Sequence, residues 1–497
     1  MALSLKTNSE LKALYQNCRL GLEIEEHRVT ATGHLSQTPY PGHFGSRQSH
    51  PYFQSDFGES QSELVTGVFT STQALMQQLT ALQTIWRQAL PAGEQIWPFS
   101  MPPNLTENEQ HHIREHFGRP AYQAYRDYLK THYALSQSLT TGVHVNFSLP
   151  ATLDLPVAAH NALYFKIAQS FVSYRWLLTY LFGASPNAAP SHLSALSSAL
   201  KAPVRSIRNS QFGFTNAVTE TIPYTSLAAH VQALDHAVTQ GDLYSPHEFY
   251  GPVRLKGPAA ISDLLTQPID HLECRVLDLD PFSANGIDQT TVEFLRLLLV
   301  FGSQQPAKTA AELAQMQQWN RDVALEHPLS SSQFAAPAEQ VLAQLATFAQ
   351  QIDAPAAAQA VANMQQRARH PALTPSARII TTAANWQALG CQLGQQHQHT
   401  ALQQTWLEVW QAQQIPPAVQ QLLALAYRRG ITVVAWQATT GTLTLAYQGQ
   451  QAHFSATTQG LYPLTSVQGD QPELEQQLQA AFQTLPPLDC TTNPAAD

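Results

Sequence analysis

The 497-residue chain is poor in charge: Asp, Glu, Lys and Arg together make up 12% of it and the net charge is −9, where soluble domains ordinarily carry roughly 25% charged residues. That balance excludes the basic stripe of a nucleic-acid binder, and no apolar run approaches the roughly 20 residues that span a bilayer. Cys18, Cys274, Cys391 and Cys490 are too widely spaced for a disulfide framework or a CxxC metal site, and the N-terminus lacks the basic-then-apolar pattern of a signal peptide, so a reduced, cytoplasmic protein with neither nucleic-acid nor membrane partner is expected.

Along the chain, the first signal is Leu22-Glu23-Ile24-Glu25. Side chains alternate across a strand, so Glu23 and Glu25 would share one face and the apolar residues the other. A loop rich in Pro, Gly, Ser and His (Pro41 to Pro51) leads into Asp56-Phe57-Gly58-Glu59-Ser60-Gln61-Ser62-Glu63. The spacing i, i+3, i+7 puts Asp56, Glu59 and Glu63 on one face of a helix. Five carboxylates so close together would repel one another without a cation, and oxygen ligands of this kind suit Mg²⁺ with substrate phosphates. A solvated acidic patch is the alternative, and the residues alone leave both open.

Tyr122 to Ser138 and Pro156 to Leu181 carry apolar residues at three- and four-residue intervals and are predicted helices; so are Thr290 to Phe301 and the Ala- and Gln-rich Glu339 to Met364. Between them, Val143-His144-Val145-Asn146-Phe147 and Leu272-Glu273-Cys274-Arg275-Val276-Leu277 repeat the pattern of the first strand. Three such strands point to one sheet with a polar, functional face, in an α+β arrangement with antiparallel pairing. Glu273 with Arg275 suits a metal–phosphate site, the carboxylate on the ion and the guanidinium on transferring phosphoryl oxygens. An in-plane ion pair is the plainer reading. No GxxxxGK[ST] loop is present, so ATP would be held by metals and arginines.

Other features carry less. His112 and His116 stand four apart beside Glu115, but the order is not HExxH, and an exposed helix face without metal is expected. His397-Gln398-His399 reads as a polar loop, Trp97 and Trp176 as core, and Cys274 as packing behind the Glu273/Arg275 face. Pro416-Pro417 marks a boundary between a unit over 1–414 and a small unit over 415–497 of unassigned role. The latter reads as a helix Ala418 to Arg429 closed by Gly430, a hairpin Ile431–Trp436 with Thr442–Tyr447, and a helix Pro472 to Thr484.

Seven motifs occur in an order that resembles the bacterial glutamate–cysteine ligases. They are Leu20-Gly21-Leu22-Glu23-Ile24-Glu25; Asp56-Phe57-x-Glu59-x-x-x-Glu63; Trp97-Pro98-Phe99-Ser100-Met101-Pro102; Gly142-Val143-His144-Val145-Asn146-Phe147-Ser148-Leu149; Leu181-Phe182-Gly183-Ala184-Ser185-Pro186; Asp280-Pro281-Phe282-Ser283; and Leu373-Thr374-x-Ser376-Ala377-Arg378. The resemblance covers the region from Glu10 to Trp410 or so and includes the N-terminal ligase half of bifunctional glutathione-synthesising enzymes.

The resemblance implies a glutamine synthetase-like curved antiparallel sheet flanked by helices, with a small C-terminal α/β appendage. It implies ATP-dependent joining of the γ-carboxyl of glutamate to the amino group of cysteine, the first step of glutathione synthesis; a related ligase joining glutamate to another amine is the alternative. Glu23, Glu25, Asp56, Glu63, His144 and Glu273 match family positions that ligate two or three Mg²⁺ (or Mn²⁺) ions. Arg275 matches the arginine at the γ-phosphate, with Arg378 a second ATP-binding candidate; Arg275, Glu23 and Glu273 are the residues expected to carry the chemistry. Arg208 matches an arginine that binds glutamate, beside Asn146. Tyr125, Arg126 and Leu129 match a helix bordering the cysteine pocket, and Tyr250 a mobile tyrosine near it. The Pro41–Pro51 loop and Tyr250 are candidate covers that keep water from an acyl phosphate.

Two departures stand out. Phe214 replaces the tyrosine of several relatives, removing one hydroxyl from the cysteine pocket. Residues 415–497 only faintly resemble the linker before the ATP-grasp half of the bifunctional enzymes, so the second ligation is not expected of this chain.

Overall fold

The alternation of Leu20, Leu22 and Ile24 with Gly21, Glu23 and Glu25 produces a strand running from Arg19 to Thr30 (β1). The structure, a computed structural model, describes residues 7–45, 47, 49–115, 122–192, 200, 202–213, 215–216, 222–403, 415–455, 465–466 and 471–486. Around β1 lie Phe53–Ser55 (β2), Gln61–Val65 (β3), Glu94–Trp97 (β4), Val143–Ser148 (β5), Val253–Lys256 (β6) and His271–Leu277 (β7). They form one seven-stranded sheet in the order β2-β3-β1-β5-β7-β6, with β4 pairing the far half of β1. Every pairing is antiparallel.

One face of this sheet is core. Leu22, Ile24, Val143, Val145, Phe147, Leu272 and Cys274 are buried in a single apolar cluster. They share it with residues of the helices Thr72–Ala89, Val157–Ser173 and Gln289–Gly302. Burying each such large aliphatic or aromatic side chain contributes about 1.5–3 kcal/mol, and a one-residue slip would turn all of them to the opposite face. The register is therefore fixed by the apolar face, and the polar residues between are committed to the other. Trp97 and Trp176 are buried, as expected.

The predicted helices appear with changes at their joints. Tyr122 to Ser138 divides into Gln123–His132 and Leu135–Ser138, and Pro156 to Leu181 into Val157–Ser173 and Arg175–Phe182. The single helix expected over Glu339 to Met364 is two, Ala335–Gln351 and Pro355–Arg369. Asp353 adopts a φ of 51° at the break, and Pro355 opens the second helix, where its missing N–H leaves no bond unmade. His397 and His399 lie on the helix Trp386–Gln403, not in a loop; His397 Nε2 is 3.0 Å from the Pro281 carbonyl oxygen. Among the described residues no helix is long and apolar enough to cross a membrane.

After Pro416, the helix Pro417–Arg428 is followed by Gly430 at φ 68°. Then come strands Thr432–Gln437 (β8), Thr442–Tyr447 (β9), Gln450–Ser455 (β10) and Thr465–Ser466 (β11), ordered β11-β10-β9-β8, and the helix Gln471–Ala481. Val419, Leu422 and Ala426 of this segment belong to the same apolar cluster as Phe53, Leu75 and Trp86. Tyr52 stacks edge-on against Tyr427 (5.0 Å, 88°), and its hydroxyl accepts the Val433 N–H at 2.8 Å. His50 Nδ1 accepts the N–H groups of Tyr52 and Phe53 (3.1 and 3.0 Å), which leaves Nε2 to donate to the Arg428 carbonyl at 3.3 Å. The Pro41–Pro51 loop is thus drawn into packing: Phe44 lies 4.4 Å from the Phe53 ring and 5.4 Å from Trp86. None of its described residues lines the cavity described next.

Candidate active site

The polar face of the sheet is the floor of a cavity of about 470 Å³. Register decides what meets there. Glu23 pairs opposite His144 and Glu25 opposite Glu63, while Glu273 lies between Asn146 and Arg254. The segment expected as a helical Asp56/Glu59/Glu63 face is instead the turn and second strand of the β2–β3 hairpin. Gly58 and the small polar residues around it form the turn, and Phe53 pairs with Leu64 across it. Strand period then separates the three acids. Glu63 faces the cavity, Asp56 reaches it from the strand end, and Glu59 turns away to pair with Arg47 at 2.7 Å and accept the Tyr40 N–H at 3.0 Å.

β7 carries one residue more than β5 between the pairs Val143–Leu277 and Val145–Cys274, a bulge at the level of His144 and Arg275. Bulges free backbone groups and re-aim side chains. Here the freed carbonyls are taken: Arg208 Nη2 donates to Arg275 O at 3.1 Å and Asn209 Nδ2 to Val276 O at 2.9 Å. Gly142, just before β5, forms the bed for Arg208; a Cβ there would stand 2.2 Å from its Nη2 and 2.4 Å from its Cζ.

His144 lies among the acids. Its Nδ1 is 3.2 Å from Glu23 Oε2 and 3.5 Å from Glu273 Oε1, and its Nε2 is 3.5 Å from Glu25 Oε1. Asn146 Nδ2 donates to Glu23 Oε1 at 2.7 Å. One ligand atom from each of Glu23, His144 and Glu273 lies within 4.8 Å of the others. Carboxylate oxygens with one imidazole are a donor set that fits a hard divalent cation.

Cations close the far side. Glu273, 2% exposed, is bonded by Arg275 Nη1 and lies 3.3 Å from Arg254 Nη1 and 3.2 Å from Lys256 Nζ. Burial alone would raise the Glu273 carboxyl; the charges of Arg275, Arg254, His144 and Lys256 overcome it and hold the group well below the usual carboxylate range. Burial likewise raises Glu23, but its bonds to His144 and Asn146 bring it below its ordinary value. Burial opposes the Arg275 charge, and the three glutamates 273, 25 and 23 more than restore it. Arg254 and Lys256 also line the cavity, and the sequence reading does not single them out. Their signal was available in the alternation Val253-Arg254-Leu255-Lys256, with Val253 and Leu255 buried.

An aromatic wall completes the cavity. Tyr125, Arg126, Leu129 and Tyr250 all line it. The hydroxyls of Tyr125 and Tyr250 are 3.0 Å apart, and Asn216 Oδ1 accepts the Tyr250 N–H at 2.8 Å. Burial pushes the Tyr125 phenol up to about 12. Arg126 is a structural clamp: its Nε donates to Phe57 O at 2.8 Å, its Nη groups bond the Ile113 and Arg114 carbonyls, and its guanidinium lies 4.7 Å over the Phe57 ring. Arg378 stacks 3.7 Å over Phe282 and is not among the residues that line the cavity. The ring supplies the guanidinium with a face to cover, and the Asp280 carboxylate feels its charge. Phe214 and His116 lie outside the described residues.

The chain matches the family described as glutamate-cysteine ligase over residues 3–246 and 240–324. It is 33% identical over 414 residues to the glutathione biosynthesis bifunctional protein GshAB of Pasteurella multocida, covering 80% of this chain and 54% of that one. The protein of the same description from Streptococcus mutans is 38% identical over 337 residues, covering 65% and 44%. This chain thus spans about half the length of the curated relatives it matches. Among solved structures, the bifunctional glutathione synthetase of Pasteurella multocida superposes with a TM-score of 0.82 at 29% identity, over 90% of this chain and 62% of that one. A glutamate–cysteine ligase of Francisella tularensis, solved with AMP, shares the fold at a TM-score of 0.73 and 22% identity, over 83% and 93%.

Proposed function

Because the chain belongs to the glutamate-cysteine ligase family, we propose that its cavity joins the γ-carboxyl of L-glutamate to the amino group of L-cysteine at the expense of ATP, giving γ-glutamylcysteine. One observation supports this most: the strand register gathers Glu23, Glu25, Glu63, His144, Glu273 and Arg275 on a single face beside an arginine-rich side and an aromatic wall. The glutamine synthetase-like curvature of the sheet, a cytoplasmic location and a role opening glutathione synthesis belong to the same proposal.

A carboxylate is a poor electrophile for an amine in water, so the γ-carboxylate is first phosphorylated by ATP to an acyl phosphate. Glu23, Glu25, Asp56, Glu63, His144 and Glu273 would hold two or three Mg²⁺ or Mn²⁺ ions, which when bound neutralise charge on the ATP phosphates. Arg275 presents a planar fork to the phosphoryl oxygens, a partner it exchanges for the Glu273 carboxylate. Arg254 and Lys256 add positive charge from the neighbouring strand. Arg208, fixed on the bulge carbonyl above Gly142, holds the glutamate, with Asn146 keeping Glu23 in place. Tyr125, Leu129 and Tyr250 border the amine, and Arg126 keeps that wall rigid. Excluding water there protects the acyl phosphate until the amine attacks.

The test is ADP release by the purified chain with ATP, Mg²⁺ and L-glutamate, with L-cysteine present, absent, or replaced by other amines. Release that is greatest with cysteine supports the proposal. A stronger response to another amine would establish the related-ligase alternative, and no glutamate-dependent release would contradict both.

A further inference from the structure

A second cavity, of about 600 Å³, adjoins the first, and the two share Arg175, Asn209, Tyr250, Gly251 and Pro252 as lining residues. Arg175 opens the helix Arg175–Phe182, so its side chain stands at the neck between them. Its contacts are few. Nη2 reaches the backbone and side-chain oxygens of Asn209 at 3.5 and 3.4 Å, and its enclosed Nε has no hydrogen-bond partner. Among the described residues it makes no ion pair. The carboxylate whose charge it feels, Asp278, already accepts from Ala184 N (2.7 Å), Ser206 Oγ (2.8 Å), Ser185 Oγ (2.9 Å) and Asn209 Nδ2 (3.3 Å).

Enclosing a guanidinium without an anion is costly. Burial and the like charges of Arg208 and Arg321 push this one down to about 10. The acids of the first cavity come from β1, β3, β7 and the end of β2, and the described lining of the second contains no Asp or Glu. The glutamate of the proposed reaction carries two carboxylates. Its γ-carboxyl belongs beside Arg275 on the acid-lined floor, so its α-carboxylate needs a cationic, acid-free position within one side-chain length. The neck offers Arg175 where the acid-lined cavity meets one whose described lining holds no Asp or Glu.

Resting on the proposed reaction, we infer that Arg175 binds the α-carboxylate of the amino-acid substrate, with Arg208 as its neighbour on the first cavity, and so sets the preference for an α-amino acid over a simple carboxylate. The experiment compares Arg175→Met and Arg175→Lys with the unaltered chain, reading the KM for L-glutamate and the competitive inhibition constant of 4-aminobutyrate, which keeps the chain and distal carboxylate but lacks the α-carboxylate. In Arg175→Met the glutamate KM is expected to rise about tenfold or more while the 4-aminobutyrate constant stays nearly level; Arg175→Lys recovers part of the loss. An unchanged KM, or equal shifts for both ligands, overturns the assignment, and a fall in melting temperature does not alter that reading. If the Met variant does not fold, the Lys variant carries the same comparison. An unaltered chain without glutamate-dependent ADP release would instead count against the reaction itself.

Discussion

Glu273→Gln separates the electrostatic role of this residue from its role in chemistry. Glu273 is bonded by Arg275 and lies within 3.3 Å of both Arg254 and Lys256, and its substitution leaves three cations facing one another in an enclosed place. Breaking a buried charge pair from one side costs roughly 3–5 kcal/mol, and because glutamine keeps the shape and one acceptor the lower end, about 3 kcal/mol, applies. For a chain of 497 residues, an unfolding entropy of roughly 2.1 cal/mol/K per residue converts this into a fall of about 3 °C in Tm without divalent metal. The carboxyl lies well below its ordinary 4.5 in the folded chain. The stability it supplies is therefore full above that pH and is lost as the pH falls through the folded value, so the Tm gap between the two proteins closes in acid. Turnover should drop by about 10³ or more, since the substitution removes a metal-binding oxygen and unseats Arg275. Differential scanning in metal-free buffer and a coupled ADP assay measure the two effects. A Tm that rises, or turnover near that of the unaltered chain, would refute the reasoning.

Further expectations concern single contacts. Arg275→Lys should mainly lower kcat and Arg208→Lys mainly raise the KM for glutamate, because an ammonium cannot reproduce a fork; identical kinetic signatures would count against the division. Gly142→Ala should share the Arg208 signature, since its Cβ would occupy the bed of that guanidinium; unchanged glutamate KM would contradict this. Burial pushes His27, His50, His192 and His230 each down to about 4 from 6.5. The unfolded chain takes up these protons first, so between pH 6.5 and about 4 each histidine lowers stability by about 1.4 kcal/mol per pH unit, with no further loss below and none above that window. His50→Gln should flatten the acid slope of a denaturation series by about that amount; an unaltered slope would discount it. A chain ending at Ile415 should keep its chemistry, as the described cavity lining ends at Val276, but melt several degrees lower for loss of Tyr427, Leu422 and Val419 from the shared core; a folded, inactive truncate would refute this.

The site was largely legible where strand alternation governed it. Glu23/Glu25, His144/Asn146 and Glu273/Arg275 could be assigned to one face because their intervening Leu, Ile, Val and Cys residues had to be buried. The Asp56–Glu63 segment was misread because i, i+3, i+7 spacing is also compatible with a turn and a strand, and Gly58 among small polar residues was the outweighed signal. Arg254 and Lys256 were passed over for lack of an acidic partner in sequence; theirs, Glu273, comes only through pairing of β6 with β7. The bulge opposite His144, the bed at Gly142 and the neck at Arg175 are tertiary relations with no local signature.

The most direct measurement follows oxygen from substrate to phosphate. L-Glutamate labelled with ¹⁸O in its γ-carboxylate is incubated with the purified chain, ATP, Mg²⁺ and L-cysteine, and the inorganic phosphate and peptide are weighed by mass spectrometry. Acyl-phosphate chemistry at this cavity places one labelled oxygen in phosphate for each γ-glutamylcysteine formed, with one ADP released. Peptide formed with unlabelled phosphate would contradict the acyl-phosphate step, and no peptide or ADP at all would contradict the assignment of this cavity.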